Sequence, residues 1–409
     1  MPSWISHSSS PDPEKVSISL PWSKSIVNRL LLIFRVAGFP LDALSDYCDS
    51  QDSIELLEAL QHKDGLISAG EGAAPYRFML AYAAAQDLKC TLTARGSMLR
   101  RSIAPLVESL REAGAQLDYA SAEGFPPVII RSGIREFGKL QVNTETSSQF
   151  ASALMLVAPL FPGKKHIQTS ASRVSEPYLK MSAALMDACG IPVQLHPDIE
   201  ISEGLYSLPN PLPVEADWSA AAFFYSLASM TRGTVFSFHG LKQDSLQGDS
   251  VLPQLYAGLG VRTEWNPNGS QCFAAQQNQS PATHLDFSDT PDLLPAFLVA
   301  CAVQKLRIHV TGIDHLAYKE SDRLELLQRN FKKIHVSFQP EQRGWTLDAS
   351  GWKPETSVVF ETGKDHRIAM AFALFAVFTP VGLDDTTCVS KSFPGFWEEL
   401  RKCNLYLNH

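Results

Sequence analysis

Residues 103–119, IAPLVESLREAGAQLDY, read as a helix, a stop and a strand. Ile103, Leu106, Val107 and Leu110 recur at helical spacing and share one face. Gly114 follows, the residue that closes a helix most readily because it takes the left-handed conformation without a steric penalty. A short alternating segment comes next. The outline recurs in YLKMSAALMDACGIPVQL, residues 178–195, with Met181, Leu185 and Cys189 on one face before Gly190. It recurs again in SVLPQLYAGLGVRTEW, residues 250–265, whose helix ends near Gly260. SDRLELLQRNFKKIHVSF, residues 321–338, has the same outline without the glycine. Helix-plus-strand modules repeated at long period predict an α/β fold assembled from supersecondary units.

A chain of 409 residues outgrows one comfortable core and predicts two domains. The Pro-rich stretch SLPNPLPVEADW, residues 207–218, is the linker candidate and divides the chain near its middle. Two lobes of similar size follow, with a ligand expected in a cleft. A net charge of −8 argues against a general nucleic-acid or anionic-membrane binder. Seven cysteines stand singly, with no CxxC pair and no histidine at ligand distance, so neither disulfides nor a metal site is expected. The N-terminus lacks the basic and apolar regions of a signal peptide. The apolar run from Ile368 is short of a membrane span and contains Pro380, so it reads as a buried helix in a cytoplasmic enzyme.

Polar and charged residues gather at the starts of apolar helices. SLPWSKSIVNRLLLI, residues 19–33, sets Ser23, Lys24, Ser25 and Arg29 against a run of leucines. Hydroxyls, an ammonium and free N–H groups at a helix start form an anion site, although a plain serine cap needs no ligand. Ser147, Ser148 and Gln149 stand where a second buried helix begins. Ser175 reads as the cap of a helix with Pro177 in its first turn and Tyr178 next. Lys319, Glu320 and Arg323 sit at i, i+1 and i+4 of another helix start, a spacing also common on solvated faces. Asp365, His366 and Arg367 lead into an apolar helix, where Asp365 and Arg367 can pair with each other. Asp292 heads a further hydrophobic helix, and Lys391 lies near the C-terminus. One explanation covers all of them: an inter-lobe pocket for a substrate with several anionic groups, phosphate and carboxylate. Asp292 and Glu320 among those cations are placed for proton transfer. No P-loop, dinucleotide fingerprint, GxSxG elbow or HExxH is present, so neither ATP nor NAD is indicated and no cofactor is expected.

The ordered set SLPWSKSIVNR, FPPVII, TSSQFASALMLVAPL, VSEPY, DSLQGDS, TPDLLPA, KESDRL, DHRIAMAF and CVSKSFPGFWEEL resembles the enolpyruvyl transferases, in particular the EPSP synthase family, over nearly the whole chain. The resemblance implies a two-lobed inverted α/β barrel built from repeated βαβαββ units, three per lobe. It puts residues 22–213 in an N-terminal lobe on the shikimate 3-phosphate side, with part of the phosphoenolpyruvate site. Residues 1–21 and 214–409 would form a C-terminal lobe carrying the catalytic carboxylates and cations. It implies transfer of the enolpyruvyl group of phosphoenolpyruvate to the 5-hydroxyl of shikimate 3-phosphate by addition and elimination, releasing phosphate. The implied partners are these two small molecules, with no nucleic acid, no membrane and a monomeric enzyme.

By motif position, the resemblance implies that Ser25, Arg29, Ser147, Ser148, Ser175 and Tyr178 hold shikimate 3-phosphate, with Gln149 between the substrates. Lys24, Arg101, Arg323, Arg367 and Lys391 would clamp phosphoenolpyruvate, with Lys319 in the same motif as Arg323. Asp292 would be the base, Glu320 the proton shuttle, and Lys24 and His366 would lie near the developing charge. The chain departs from the family pattern in three places. Trp22 replaces the Gly before Ser23. The loop GEGAAPYR, residues 70–77, keeps Arg77 but has Glu71 for Asn, Ala73 for Gly and Ala74 for Thr. His315 replaces an Asn that contacts the shikimate phosphate. The methyl of Ala73 implies reduced glyphosate sensitivity. Two other readings are an enolpyruvyl transferase acting on UDP-N-acetylglucosamine and a catalytically impaired ligand-binding relative. The first expects a Cys in LTARGSMLRRSI, residues 92–103, which has none. Retention of Lys24, Asp292, Glu320 and Lys391 weighs against the second.

Overall fold

Helices that are apolar on every side must be buried, and their packing organises the chain. The computed structural model describes residues 2–8, 13–170, 175–266, 269–274 and 282–408. Val174 of the VSEPY stretch lies outside them. The chain divides into two compact units, one formed by residues 22–214 and the other by residues 1–21 with 215–409.

In the 22–214 unit, strand Gly65–Ser68 pairs parallel with Cys90–Thr93, which pairs antiparallel with Val128–Ser132, itself antiparallel to Gln116–Tyr119. Helix Ala73–Ala85 connects the first two strands and helix Ala104–Glu112 precedes the last pair, giving β-α-β-α-β-β. Strands Lys139–Val142, Lys165–Thr169, Ile199–Ile201 and Val193–Gln194 repeat the pattern with helices Gln149–Val157 and Glu176–Ala188. The third place in this unit is held by helices Lys24–Ala37 and Gln51–Gln61, joined through the 3₁₀ turn Leu41–Tyr47.

Among the described residues, the other unit carries three four-stranded sheets. One is continuous in sequence: His284–Asp286, Arg307–Thr311, Gly344–Asp348 and Ser337–Glu341, with helices Leu294–Val303 and Arg323–Lys332. The other two recruit N-terminal strands. Lys15–Ile18 pairs parallel with Val235–Phe238, although residues 22–214 intervene. Ser3–His7 lies between Val381–Leu383 and Leu405–Asn408. These pairings are why the first 21 residues belong with the C-terminal half.

Strands such as Lys15–Ile18 and Lys139–Val142 alternate exposed and buried positions, so each sheet presents one face to the helices. Leu30, Leu31, Leu32, Ile33 and Phe34 of helix Lys24–Ala37 are all inaccessible, each worth roughly 1.5–3 kcal/mol of burial. Gly114, Gly190 and Gly260 all have positive φ at helix ends. In the module without glycine, His335 takes the position at φ 59°. The apolar run from Ile368 is not one helix. Helix His366–Ala373 gives way to a 3₁₀ turn, Leu374–Val377, and then to strand Val381–Leu383, because Pro380 lacks the N–H that a continuing helix requires. Since the helix bodies are core, polar side chains on them concentrate at the N-terminal turns.

Candidate active site

Each unit carries its own polar cluster. In the 22–214 unit, helix Lys24–Ala37 starts after Ser23, whose side chain makes no capping bond. The Lys24 ammonium pairs with Asp52 at 2.9 Å. Asp52 opens helix Gln51–Gln61, and its other oxygen lies so close to Gly72 that a Cβ there would stand 2.6 Å from it. Glu55, one turn on, pairs with Arg95 at 2.6 Å and accepts from the Glu71 N–H at 3.0 Å. A Cβ at Gly70 would collide with the Glu55 carboxylate at 1.6 Å. The GEGAAPYR loop is thus seated on two buried carboxylates of one helix face, three residues apart. Ala73 is buried as the first residue of helix Ala73–Ala85. Trp22 has a structural reason in its ring, which meets Tyr47 edge-on at 5.1 Å, while its backbone N–H donates to Asp49 as that of another residue would.

Arg29 is buried and forks four ways. It donates to the Ser182 hydroxyl at 2.7 Å, the Ser25 carbonyl at 2.7 Å, the Tyr178 carbonyl at 3.2 Å and the Ser152 hydroxyl at 3.4 Å. Its guanidinium also lies 5.8 Å from the Tyr178 ring centre. Burial lowers its pKa to about 10, so it remains cationic at neutral pH with neutral oxygens around it. Arg77 donates to Ser147 Oγ at 2.9 Å, Gln149 Oε1 at 2.8 Å and the Ser102 carbonyl at 3.2 Å, beside buried Arg101. Arg77 therefore draws together the start of helix Gln149–Val157 and the segment after Arg100. Ser148 precedes that helix and Ser175 precedes helix Glu176–Ala188, both buried. Ser175 is not the side-chain cap expected. Its backbone is left-handed at φ 59° and ψ 46°, which turns the hydroxyl away from the first-turn N–H groups.

The second cluster, in the other unit, centres on Arg323, which is 1% exposed. Its Nε meets Asp365 at 2.7 Å, its Nη1 meets Asp292 at 2.9 Å and its Nη2 meets Glu320 at 2.8 Å. Arg367 holds the second Asp292 oxygen at 2.9 Å, and Lys391 stands 3.7 Å from Glu320. Burial alone would raise the Asp292 carboxyl, but Arg367, Lys319 and Arg323 hold it well below the usual carboxylate range. Burial would lower the Arg323 guanidinium, and Asp365, Glu320 and Asp292 instead push it up. His315 is buried in the turn Asp314–Tyr318, its Nε2 without a hydrogen-bond partner. Burial, then Lys319, lowers its pKa to about 4, so the ring is neutral at physiological pH. His366 opens helix His366–Ala373 and is buried.

Two local expectations are corrected here. Lys319 and Glu320 are not on the helix with Arg323. The helix starts at Arg323 because Asp322 caps it, accepting from the Glu325 N–H, so both residues lie in the preceding loop. Asp365 does not pair with the Arg367 guanidinium. It caps helix His366–Ala373 through the Arg367 N–H and gives its other oxygen to Arg323, leaving the Arg367 side chain for Asp292. Asp52 and Glu55, and the role of Arg77 in holding Ser147 and Gln149, escaped the sequence reading. The only signal was a pair of carboxylates at i and i+3 in QDSIELL, residues 51–57.

Chemically, the second cluster can move protons beside fixed cations, and both clusters can hold anions. The profile of the family described as EPSP synthase (3-phosphoshikimate 1-carboxyvinyltransferase) matches residues 55–400. The 3-phosphoshikimate 1-carboxyvinyltransferase of Bacteroides fragilis is 33% identical over 400 residues, covering 96% of each chain. That of Actinobacillus pleuropneumoniae is 28% identical, covering 94% of this chain and 95% of its own. Among solved structures, EPSP synthase from Acinetobacter baumannii superposes with a TM-score of 0.77 at 20% identity, covering all of both chains. The enolpyruvyl transferase NikO from Streptomyces tendae gives 0.69 at 12% identity, covering 100% of this chain and 99% of its own.

Proposed function

Because the chain belongs to the EPSP synthase family, we propose that it transfers the enolpyruvyl group of phosphoenolpyruvate to the 5-hydroxyl of shikimate 3-phosphate. The products are 5-enolpyruvylshikimate 3-phosphate and phosphate. The observation that carries this reading is the Arg323 centre, where Asp292 and Glu320 share one buried guanidinium while Arg367 and Lys391 hold their remaining oxygens. Two carboxylates held at fixed positions among cations suit a reaction that needs both a proton donor and a proton acceptor beside an anionic substrate.

In this reading the substrate's 5-hydroxyl loses its proton to Asp292 as its oxygen bonds to the central carbon of phosphoenolpyruvate. The methylene carbon takes a proton from Glu320, and a tetrahedral intermediate forms that still carries phosphate. Cleavage of the carbon–oxygen bond to phosphate then returns a methyl proton to Glu320 and restores the double bond, and the departing phosphate takes up the proton held on Asp292. Lys24, Arg101, Arg323, Arg367 and Lys391 hold the phosphate and carboxylate of phosphoenolpyruvate, and Lys24 and His366 face the developing charge. Residues 22–213 supply the shikimate 3-phosphate contacts: Ser25, Arg29, Ser147, Ser148, Ser175 and Tyr178, with Gln149 near both substrates. The buried positive charge of Arg29, set among hydroxyl and carbonyl oxygens, supports an anion nearby. His315, as a neutral ring, and Lys319 are further substrate contacts in this reading. Phosphorus NMR of the two substrates incubated with the protein tests the reading. Free phosphate and a second, ester-linked phosphorus signal are expected to grow at equal rates. Unchanged substrate signals refute the reading.

A further inference from the structure

One buried carboxylate next to the Arg323 centre has no part in that reaction. Asp249, in the turn Gly248–Val251, is 4% exposed. The Ser219 hydroxyl, in the first turn of helix Trp218–Met230, donates to its Oδ2. Its Oδ1 is buried with no hydrogen-bond partner among the described residues. A buried ionised carboxylate with a bare oxygen is costly, and such groups remain buried by staying neutral. The charged groups acting on it are Asp292 and Asp217, both repelling a second negative charge, and Arg367, attracting one. Asp217 is already committed as the cap of helix Trp218–Met230, and Arg367 is already paired with Asp292.

We propose that Asp249 is a positioning residue that works in its protonated form, so that it does not draw Arg367 away from Asp292. This rests on the reading of Asp292 as the base. Once Asp249 loses its proton, a second carboxylate competes for Arg367 and repels Asp292, disturbing the geometry and charge of the base together. Burial raises the Asp249 carboxyl to about 7, with Asp292 adding to the rise and Ser219 and Arg367 opposing it. The ionisation therefore falls within the working range. Because the folded value lies above that of a free carboxyl, the neutral form dominates below it and is lost as pH rises through it.

The test compares the native protein with Asp249→Asn, a neutral isostere that cannot ionise. For a group titrating near neutrality, the protonated fraction falls about tenfold between about pH 6 and about pH 8. The native kcat/KM for phosphoenolpyruvate is expected to fall by that factor beyond whatever the Asn variant loses over the same interval. Difference infrared spectra are expected to show a protonated-carboxyl band at the lower pH that disappears in the variant. Parallel pH profiles for the two proteins, or no such band, would overturn the proposal. A native protein without turnover on shikimate 3-phosphate would defeat the reaction assignment, while the infrared difference would still decide whether Asp249 carries a proton.

Discussion

Replacing Arg323 with methionine removes a group that meets Asp292, Glu320 and Asp365 at once. Its three charged hydrogen bonds measure 2.9, 2.8 and 2.7 Å. Each such bond is worth about 1.5–3 kcal/mol, but three on one guanidinium do not add. Breaking a buried ion pair by deleting one partner costs about 3–5 kcal/mol, because the other charge is left uncompensated. Asp292 keeps Arg367 and Glu320 keeps Lys391, but the wholly buried Asp365 loses its cationic partner, so a loss of about 3–5 kcal/mol is expected near pH 8. The sign of the pH dependence follows from Asp292. Arg323 helps depress its pKa, so its stabilising contribution is present above the ordinary carboxylate range and disappears as pH falls. The variant's deficit should therefore hold down to about pH 5 and shrink only as pH falls below about 4, where the Asp292 carboxyl of the unfolded chain takes up its proton. Amide hydrogen exchange of helices Arg323–Lys332 and His366–Ala373 reads the local stability directly. A deficit under about 1 kcal/mol near pH 8, or one unchanged at about pH 3, would refute the account of this centre.

Three further outcomes are expected. His315, lowered to about 4, should show no imidazole titration by NMR between about pH 5.5 and 8, and a midpoint in that window would contradict its burial beside Lys319. Ala73→Gly should lower the inhibition constant for glyphosate by about tenfold or more while changing the KM for phosphoenolpyruvate less; equal shifts in both would dismiss the methyl as a discriminator. Arg29→Lys keeps the charge but cannot make four directed bonds, so the KM for shikimate 3-phosphate should rise by about tenfold or more, with a smaller change for phosphoenolpyruvate.

The helix-plus-strand modules were legible because they rest on local rules: an apolar face at helical spacing, then a residue able to turn left-handed. His335 shows the limit of that rule, since its positive φ occupies the place that glycine holds elsewhere, with no marker in the residue type. The residues of the second cluster were recognisable as candidates, yet their pairing was not. Arg323 finds Asp292 across 31 positions and Asp365 across 42, and Arg367 finds Asp292 across 75. Such partnerships depend on which helix starts the fold brings together, and no spacing rule reaches that far. Local alternatives misled for the same reason. Asp365 and Arg367 stand two apart and invited a pair, but the cap geometry at the helix start sends the carboxylate to Arg323. The sequence presents Lys24 as an ammonium held for a ligand, and in the structure it already has Asp52. Any anion bound there must compete with that carboxylate or join it.

The most direct test of the central claim is phosphate release from phosphoenolpyruvate with shikimate 3-phosphate as acceptor, run beside UDP-N-acetylglucosamine. The account predicts release with the first and none with the second. Release with UDP-N-acetylglucosamine alone, or with neither, would contradict it.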